Sequence, residues 1–245
     1  MRTPRVYADA ALNAGEELSL DERAARHVVR VLRRRRGDAL HLFDGRGREA
    51  NAEIVQAHRQ HGCRVRIDGV RSRDVESPIA IELAQAMIKG DRMDWVVQKA
   101  TELGVATIRP TISARSEVQP REPEQRLARW REIAIHACEQ CGRTRLPAIH
   151  APVPLEALAP TATERIVLAP EGGPKPATRA GGGRAVCIAV GPEGGLDASE
   201  LDALAAAGFE VVAFGPRVLR AETAAIAVTA WLQARRGDLL SAHRD

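Results

Sequence analysis

Two short segments hold residue types whose spacing suits chemistry. In the first, the apolar run Val186-Cys187-Ile188-Ala189-Val190 leads directly into Gly191-Pro192-Glu193-Gly194-Gly195, and a helix is expected from Asp197 to Ala207. A buried strand that opens into a glycine-rich turn places backbone N–H groups at the carboxyl edge of a sheet, where α/β proteins bind ligands. The spacing is neither G-x-G-x-x-G nor a P-loop, so neither a Rossmann dinucleotide nor a phosphate cradle is indicated. A tight turn with no ligand is the alternative. The second segment, Phe214-Gly215-Pro216-Arg217-Val218-Leu219-Arg220-Ala221-Glu222-Thr223-Ala224-Ala225, also follows a strand and leads into a helix. Two arginines and a glutamate in an otherwise apolar loop are costly to bury without partners. The loop is therefore either a ligand site beside the first or an exposed turn with an Arg–Glu pair.

The elements that must position these loops can be read from hydrophobic rhythm. Downstream of the polar linker Ser72–Pro78, strands and helices alternate: strand Ile79–Met87, helix Asp91–Leu103, strand Val105–Ile112 and helix Pro123–Cys141. Strands at Arg165–Ala169, Arg184–Val190 and Glu210–Phe214 follow, and a last helix runs from Glu222 to Arg236. The helix Pro123–Cys141 is expected to bury Leu127, Trp130, Ala134, Ala137, Cys138 and Cys141. This alternation predicts a mostly parallel sheet covered on both faces. Upstream, Ser19-Leu20-Asp21-Glu22 has the form of a capping box and predicts a helix ending near Gly37, with Val28, Val31 and Leu32 as its apolar stripe. Strands are expected at Arg5–Tyr7, Ala39–Phe43, Glu49–Gln56 and Cys63–Val70. The Pro/Gly-rich stretch from Pro170 to Gly183 reads as a surface loop.

The segments Lys89-Gly90-Asp91-Arg92-Met93-Asp94-Trp95, Gln98-Lys99-Ala100-Thr101-Glu102-Leu103-Gly104-Val105, Glu139-Gln140-Cys141-Gly142-Arg143, Gly191–Gly195 and Leu219-Arg220-Ala221-Glu222-Thr223-Ala224 occur in this order. With Val31-Leu32-Arg33 and Phe43-Asp44-Gly45, the set spans nearly the whole chain and resembles the 16S ribosomal RNA uridine N3-methyltransferases of the SPOUT superfamily. The resemblance implies a PUA-like β-barrel RNA-binding domain in residues 1–73 and an α/β SPOUT domain in residues 78–245, with a parallel sheet and a C-terminal trefoil knot. It implies S-adenosyl-L-methionine as cofactor, 16S ribosomal RNA of the small ribosomal subunit as partner, and a homodimer with the active site near its interface.

Residue by residue, it implies a cofactor pocket from Leu168, Ala169 and Pro170; from Val190, Gly191, Pro192, Glu193, Gly194 and Gly195; and from Phe214, Gly215, Pro216, Arg217, Val218 and Leu219. Leu196 stands where an aromatic is more usual in the family, and His136 where an acid is. Methyl transfer to uracil N3 is an in-line displacement that needs positioning and loss of the N3 proton. Arg220 is the candidate to stabilise the developing negative charge. Glu222 would orient Arg220 or act as base, and Thr223 would cap the last helix or take part in catalysis. Candidate RNA contacts are Arg30, Arg33, Arg34, Lys89, Arg92 and Arg143, against simple capping and ion pairing. Arg115, Arg121, Arg126, Arg129 and Arg131 extend that surface or form a solvated face. Action on a transfer RNA base or a ribose hydroxyl, and a non-catalytic ribosome-binding module, are the rival roles.

Composition agrees with this reading and narrows it. The chain has 245 residues, 44% of them hydrophobic, and a net charge of +4. Residues 1–73 carry sixteen arginines against ten acids, so the positive charge lies in the first third. Only Lys89, Lys99 and Lys175 are lysines; so general a bias reads as genomic composition. The aromatics, three Trp, three Phe and one Tyr, are too few for a sheet that reads single strands by stacking. Neither a signal peptide nor a membrane span is expected, and four cysteines point to a reducing cytoplasm rather than a disulfide framework. Cys138 and Cys141 form a C-x-x-C, but without a second pair they read as buried thiols rather than a metal site.

Overall fold

The computed structural model describes residues 3–58, 60, 62–118, 122–170 and 184–240. The expected surface loop lies outside these except for Pro170, as does Arg121. Two compact units are formed, and they interleave along the chain. One comprises the chain up to Glu76 together with Ile135–Leu146, the other Ser77–Ala134 and the chain from Pro147. A single division near residues 73 to 78 thus does not describe the units, because a segment far downstream joins the first.

In the first unit, β1 (Arg5–Tyr7), β2 (Glu17–Ser19), β3 (Ala39–Phe43), β4 (Arg48–His58) and β5 (Gly62–Ser72) form a sheet in the order β1-β3-β4-β5-β2. On β5, Cys63, Val65 and Ile67 are buried while Arg64, Arg66 and Asp68 between them are exposed, the period-two signature of a strand with one covered face. The buried side chains join Leu40, Leu42 and Ile54 in one core, and the opposite face packs Tyr7 and Phe43 against Ile135, Cys138 and Leu146.

The helix expected from Ser19 starts later and is shorter. Ser19 ends β2, paired with Arg64, and α1 (Glu22–Arg26) is capped by Asp21, whose side chain accepts from the Ala24 N–H at 2.7 Å. The chain continues as a π-helical turn, His27–Val31, in which Leu32 N–H donates to the His27 carbonyl five residues back. The wider turn rotates the apolar stripe, so Val28 is buried but Val31 is 65% exposed.

In the second unit, β6 (Ala80–Ala86), β7 (Thr107–Ile112), β8 (Ala148–Ile149), β9 (Val153–Pro154), β10 (Glu164–Leu168), β11 (Ala185–Val190) and β12 (Glu210–Val212) are all parallel. Their order is β12-β10-β11-β6-β7-β8, with β9 also on β7. Helices α2 (Arg92–Glu102) and α5 (Ala221–Arg236) pack with Ile81, Leu83, Ile188 and Val190 in one core. On the other face, Leu155, Leu158, Phe209 and Leu204 of α4 (Ala198–Ala206) cover Ala84, Val167 and Ala189. The doubly covered parallel sheet explains why β6 and β11 are nearly continuous apolar runs.

Helix α3 (Pro123–Cys141) contributes Trp130 and Ala134 to the second unit's core and Ile135 and Cys138 to the first. Two members of its expected stripe are not buried. Leu127 is half-buried, and Cys141 is exposed because it is the last helical residue before Gly142, at φ 90°, turns the chain. Among the described residues no three metal-ligating side chains converge, and no helix is long and apolar enough to cross a membrane.

Candidate active site

A cavity of about 620 Å³ lies at the carboxyl edge of the parallel sheet. Its walls come from the chain following successive strands. Leu168, Ala169 and Pro170 follow from β10, Val190 to Leu196 from β11, and Phe214, Gly215 and Arg217 to Ala221 from β12. The two loops singled out in sequence share this edge, but β10 and its own loop lie between them. The volume is within the usual range of small-molecule sites, roughly 300–1,000 Å³.

Close approach accounts for the glycines. A Cβ on Gly191 would lie 2.9 Å from Leu196 Cγ, and one on Gly194 would lie 3.1 Å from Arg115 Cβ. Gly195, at φ 70°, closes a turn by donating its N–H to the Pro192 carbonyl at 2.9 Å. Immediately afterwards Asp197 caps α4 in a reciprocal box with Glu200. Glu200 also accepts from the Ala114 N–H (2.8 Å) and the Ser113 hydroxyl (3.1 Å), so one carboxylate fixes both the exit of the β11 loop and the loop after β7.

Glu193 is tied down as well. Its Oε1 accepts from Arg92 Nη1 at 2.8 Å and from the Lys89 N–H at 3.2 Å, while Arg115 donates to the Gly194 carbonyl at 3.1 Å. The glycine loop is therefore held from outside by the guanidiniums of Arg92 and Arg115 and by the Lys89 N–H. This leaves an apolar slot bounded by Val190, Leu196, Leu201 and Phe214, with backbone polar groups at its edges. A flat heteroaromatic ring fits such a slot, read by loop amides and carbonyls rather than by charged side chains.

The family profile of an RNA methyltransferase domain matches residues 75–233, and that of an RNA methyltransferase PUA domain matches residues 20–67. The ribosomal RNA small subunit methyltransferase E of Buchnera aphidicola is 31% identical over 97% of this chain and 98% of its own. The chain belongs to the ribosomal RNA small subunit methyltransferase E family. Two solved structures are similar throughout. A methyltransferase from Legionella pneumophila, solved with bound SAM, is 37% identical with a TM-score of 0.91, covering 98% of this chain and all of that one. The methyltransferase E of Neisseria gonorrhoeae, bound to S-adenosyl methionine, is 35% identical with a TM-score of 0.89, covering 97% of this chain and all of that one.

Against the family's expected site, the cavity gathers every candidate cofactor residue except Pro216, which does not line it. Leu196, Leu201, Arg115, Ala221 and Ala224 also line it. Leu196 occupies the position where an aromatic was expected, and its contact with Gly191 shows that an aliphatic side chain closes the slot. Arg115 enters the cavity because it lies just past β7, at the same sheet edge as the two loops.

Arg220 is exposed on the rim and is itself the N-cap residue of α5, so Thr223 lies inside the first turn and does not cap it. Glu222 lies outside the cavity lining; one of its carboxylate oxygens is buried without a hydrogen-bond partner among the described residues, and no ion pair joins it to Arg220.

The candidate RNA contacts divide. Arg30 and Arg33 are exposed, and Arg33 adopts a left-handed φ of 54°. Arg34 is half-buried, and its Nε is sequestered. Arg92 serves the cavity, and Lys89 pairs with Glu117. Arg143 is only 6% exposed, and its guanidinium is bound by Glu76 at 2.6 and 2.9 Å. An arginine so enclosed is structural and cannot reach a phosphate. Arg129 pairs with Asp94 and Glu102 with Lys99, as solvated helix faces do.

Proposed function

We propose that this chain is an S-adenosyl-L-methionine-dependent methyltransferase that methylates N3 of a uridine in 16S ribosomal RNA. The observation that carries the reading is the cavity whose walls are the Val190–Gly195 and Phe214–Leu219 loops, with Arg220 on its rim, in a chain of this family. The cofactor, when bound, supplies an electrophilic methyl group on a sulfonium. Leu196, Leu201 and Phe214 would hold its adenine in the slot they bound, and the loop backbones would offer it polar contacts. Arg220 and the N-terminal end of α5, where N–H dipoles carry partial positive charge, stabilise the uracil anion formed as the N3 proton leaves. Glu222, two residues beyond Arg220 and with a buried carboxylate oxygen that accepts no hydrogen bond among the described residues, is the candidate acceptor of that proton.

We further infer that the protein grips RNA with its N-terminal PUA-like domain, forms a trefoil knot around the cofactor loops, is a homodimer and works in the cytoplasm. Val218, Leu239 and Leu240 are 78%, 51% and 80% exposed, a concentration of apolar surface late in the chain that a partner subunit would cover.

Nucleoside mass spectrometry of ribosomal RNA from a deletion strain tests the activity. Loss of 3-methyluridine, restored by the wild-type gene and not by an Arg220→Ala version, is the expected result. Full modification in the deletion strain would refute it.

A further inference from the structure

We propose that the end of the first unit bearing Arg46, Arg48, Arg71, Arg73 and Arg145 is a docking surface for the phosphodiester backbone of RNA, organised by the buried carboxylate of Glu49. The inference rests on the methyltransferase reading above, and none of these arginines belongs to the candidate RNA contacts read from sequence.

Glu49 is fully buried, and more cations converge on it than one carboxylate needs. Arg5, itself 7% exposed, donates to Glu49 Oε2 at 2.8 Å and suffices to neutralise it. Arg71 nevertheless binds Oε1 at 2.6 and 2.8 Å, Arg73 approaches Oε2 at 3.5 Å, and His41 Nε2 stands 3.6 Å from Oε1. Arg71 and Arg73 are 67% and 39% exposed, so their guanidiniums are anchored on one edge and open to solvent on the other. An arginine held in this way has already lost much of its rotamer freedom, which favours bidentate capture of a phosphate.

The neighbouring segments add charge instead of removing it. Arg46 and Arg145 face each other in an antiparallel bridge, an arrangement that like charges destabilise unless an anion intervenes. The Arg145 guanidinium lies over Gly47, where a Cβ would approach Nη2 to 2.9 Å. Asp44 spends its carboxylate on the backbone N–H groups of Arg46 (2.7 Å) and Arg48 (3.1 Å), fixing that turn without pairing either guanidinium through this oxygen. The Arg46 guanidinium reaches Asp9, whereas those of Arg48 and Arg145 pair with no carboxylate among the described residues; the Arg145 backbone N–H donates to Glu76 at 3.3 Å.

Excess cation spread over three chain segments suits a polyanion with regularly repeated charge better than one small anion. None of the large exposed apolar side chains (Val31, Trp95, Val218, Leu239, Leu240) belongs to this surface, so it lacks the apolar anchor an acidic protein partner would use.

Binding of the cofactor-loaded full chain to transcribed 16S ribosomal RNA over a series of salt concentrations tests this. Arg71→Ala with Arg73→Ala leaves Arg5 on Glu49, so the carboxylate keeps its buried partner. The pair is expected to weaken RNA binding roughly tenfold and to lower the log–log salt slope by about 1 to 2. Arg145→Ala, which removes no partner of a carboxylate, should lower the slope by about 1, and the Arg71→Lys/Arg73→Lys pair should keep most of it. Cofactor affinity by calorimetry should stay unchanged in all three. Unchanged slopes in both alanine variants, or displacement of the RNA by millimolar inorganic phosphate at constant ionic strength, would overturn the surface. A wild-type chain that transfers no methyl group but loses RNA binding in these variants would sink the activity and leave the docking surface standing.

Discussion

The glycines and ion pairs of the Gly191–Gly195 loop make separable demands on single residues. Gly191→Ala places a Cβ against Leu196 Cγ and close to the Leu196 backbone, and neither is the free end of a flexible chain. The slot must deform, so we expect cofactor affinity measured by calorimetry to fall at least tenfold with little change in RNA affinity. Glu193→Gln keeps the shape but removes the charge that Arg92 and the Lys89 N–H share. That pair is partly exposed and screened, so its loss is worth about 0.5–1 kcal/mol, or a roughly two- to fivefold weaker cofactor Kd. Equal affinities for Glu193→Gln and wild type would show that Arg115 alone holds the loop. Gly191 and Glu193 could be read from sequence because a glycine-rich turn after an apolar strand has few structural alternatives. Arg115 and Leu201 could not, since their relevance depends on which loops and helices end at the same edge.

At the scale of elements, helix α5 does more than close the core. Gln233, 1% exposed, donates to the Leu103 carbonyl at 2.6 Å and accepts from the Ser77 hydroxyl at 2.7 Å, joining three distant stretches of the second unit. Gln233→Leu removes both bonds from the half-buried Leu103 carbonyl and Ser77 hydroxyl, which costs about 1–3 kcal/mol for the two. For a chain of this length that corresponds to a fall in Tm of roughly 2–4 °C per kcal/mol, measurable by calorimetric scanning; an unchanged Tm would mean that water replaces both bonds. The rhythm of apolar residues located α2, α3, α5 and the major strands within a few residues, because burial on one or both faces imposes period 3.6 or unbroken apolar runs. It misplaced the start of the first helix. Ser19-Leu20-Asp21-Glu22 satisfies the capping-box pattern, but pairing of β2 with β5 claims Ser19 for a strand, and Asp21 takes over as cap. The π-helical turn left no periodic signature and shifted Val31 into solvent.

For the molecule as a whole, the concentration of arginine in the first third has an acid-side consequence. Burial acts to raise the Glu49 carboxyl, but hydrogen bonds from Arg5 and Arg71 and the charge of Arg73 outweigh it and hold the group at about 2, below the ordinary 4.5. Because the folded value is the lower one, this stabilisation is complete above pH 4.5 and is lost as the pH falls from there toward 2. Melting curves between pH 5 and 3 should show a steep loss of stability that is blunted in Glu49→Gln; parallel profiles would contradict it. Residue types and order determined the family, the two loops that line the cavity and the charge split, because local conformation and composition are properties of contiguous chain. Only the tertiary structure decided that Ile135–Leu146 completes the first unit, that Arg143 is enclosed by Glu76, and that Arg71, Arg73 and Arg145 share one surface. Each of those outcomes depends on contacts between residues tens of positions apart, and side-chain burial there is set by the partner segment rather than by neighbours in sequence.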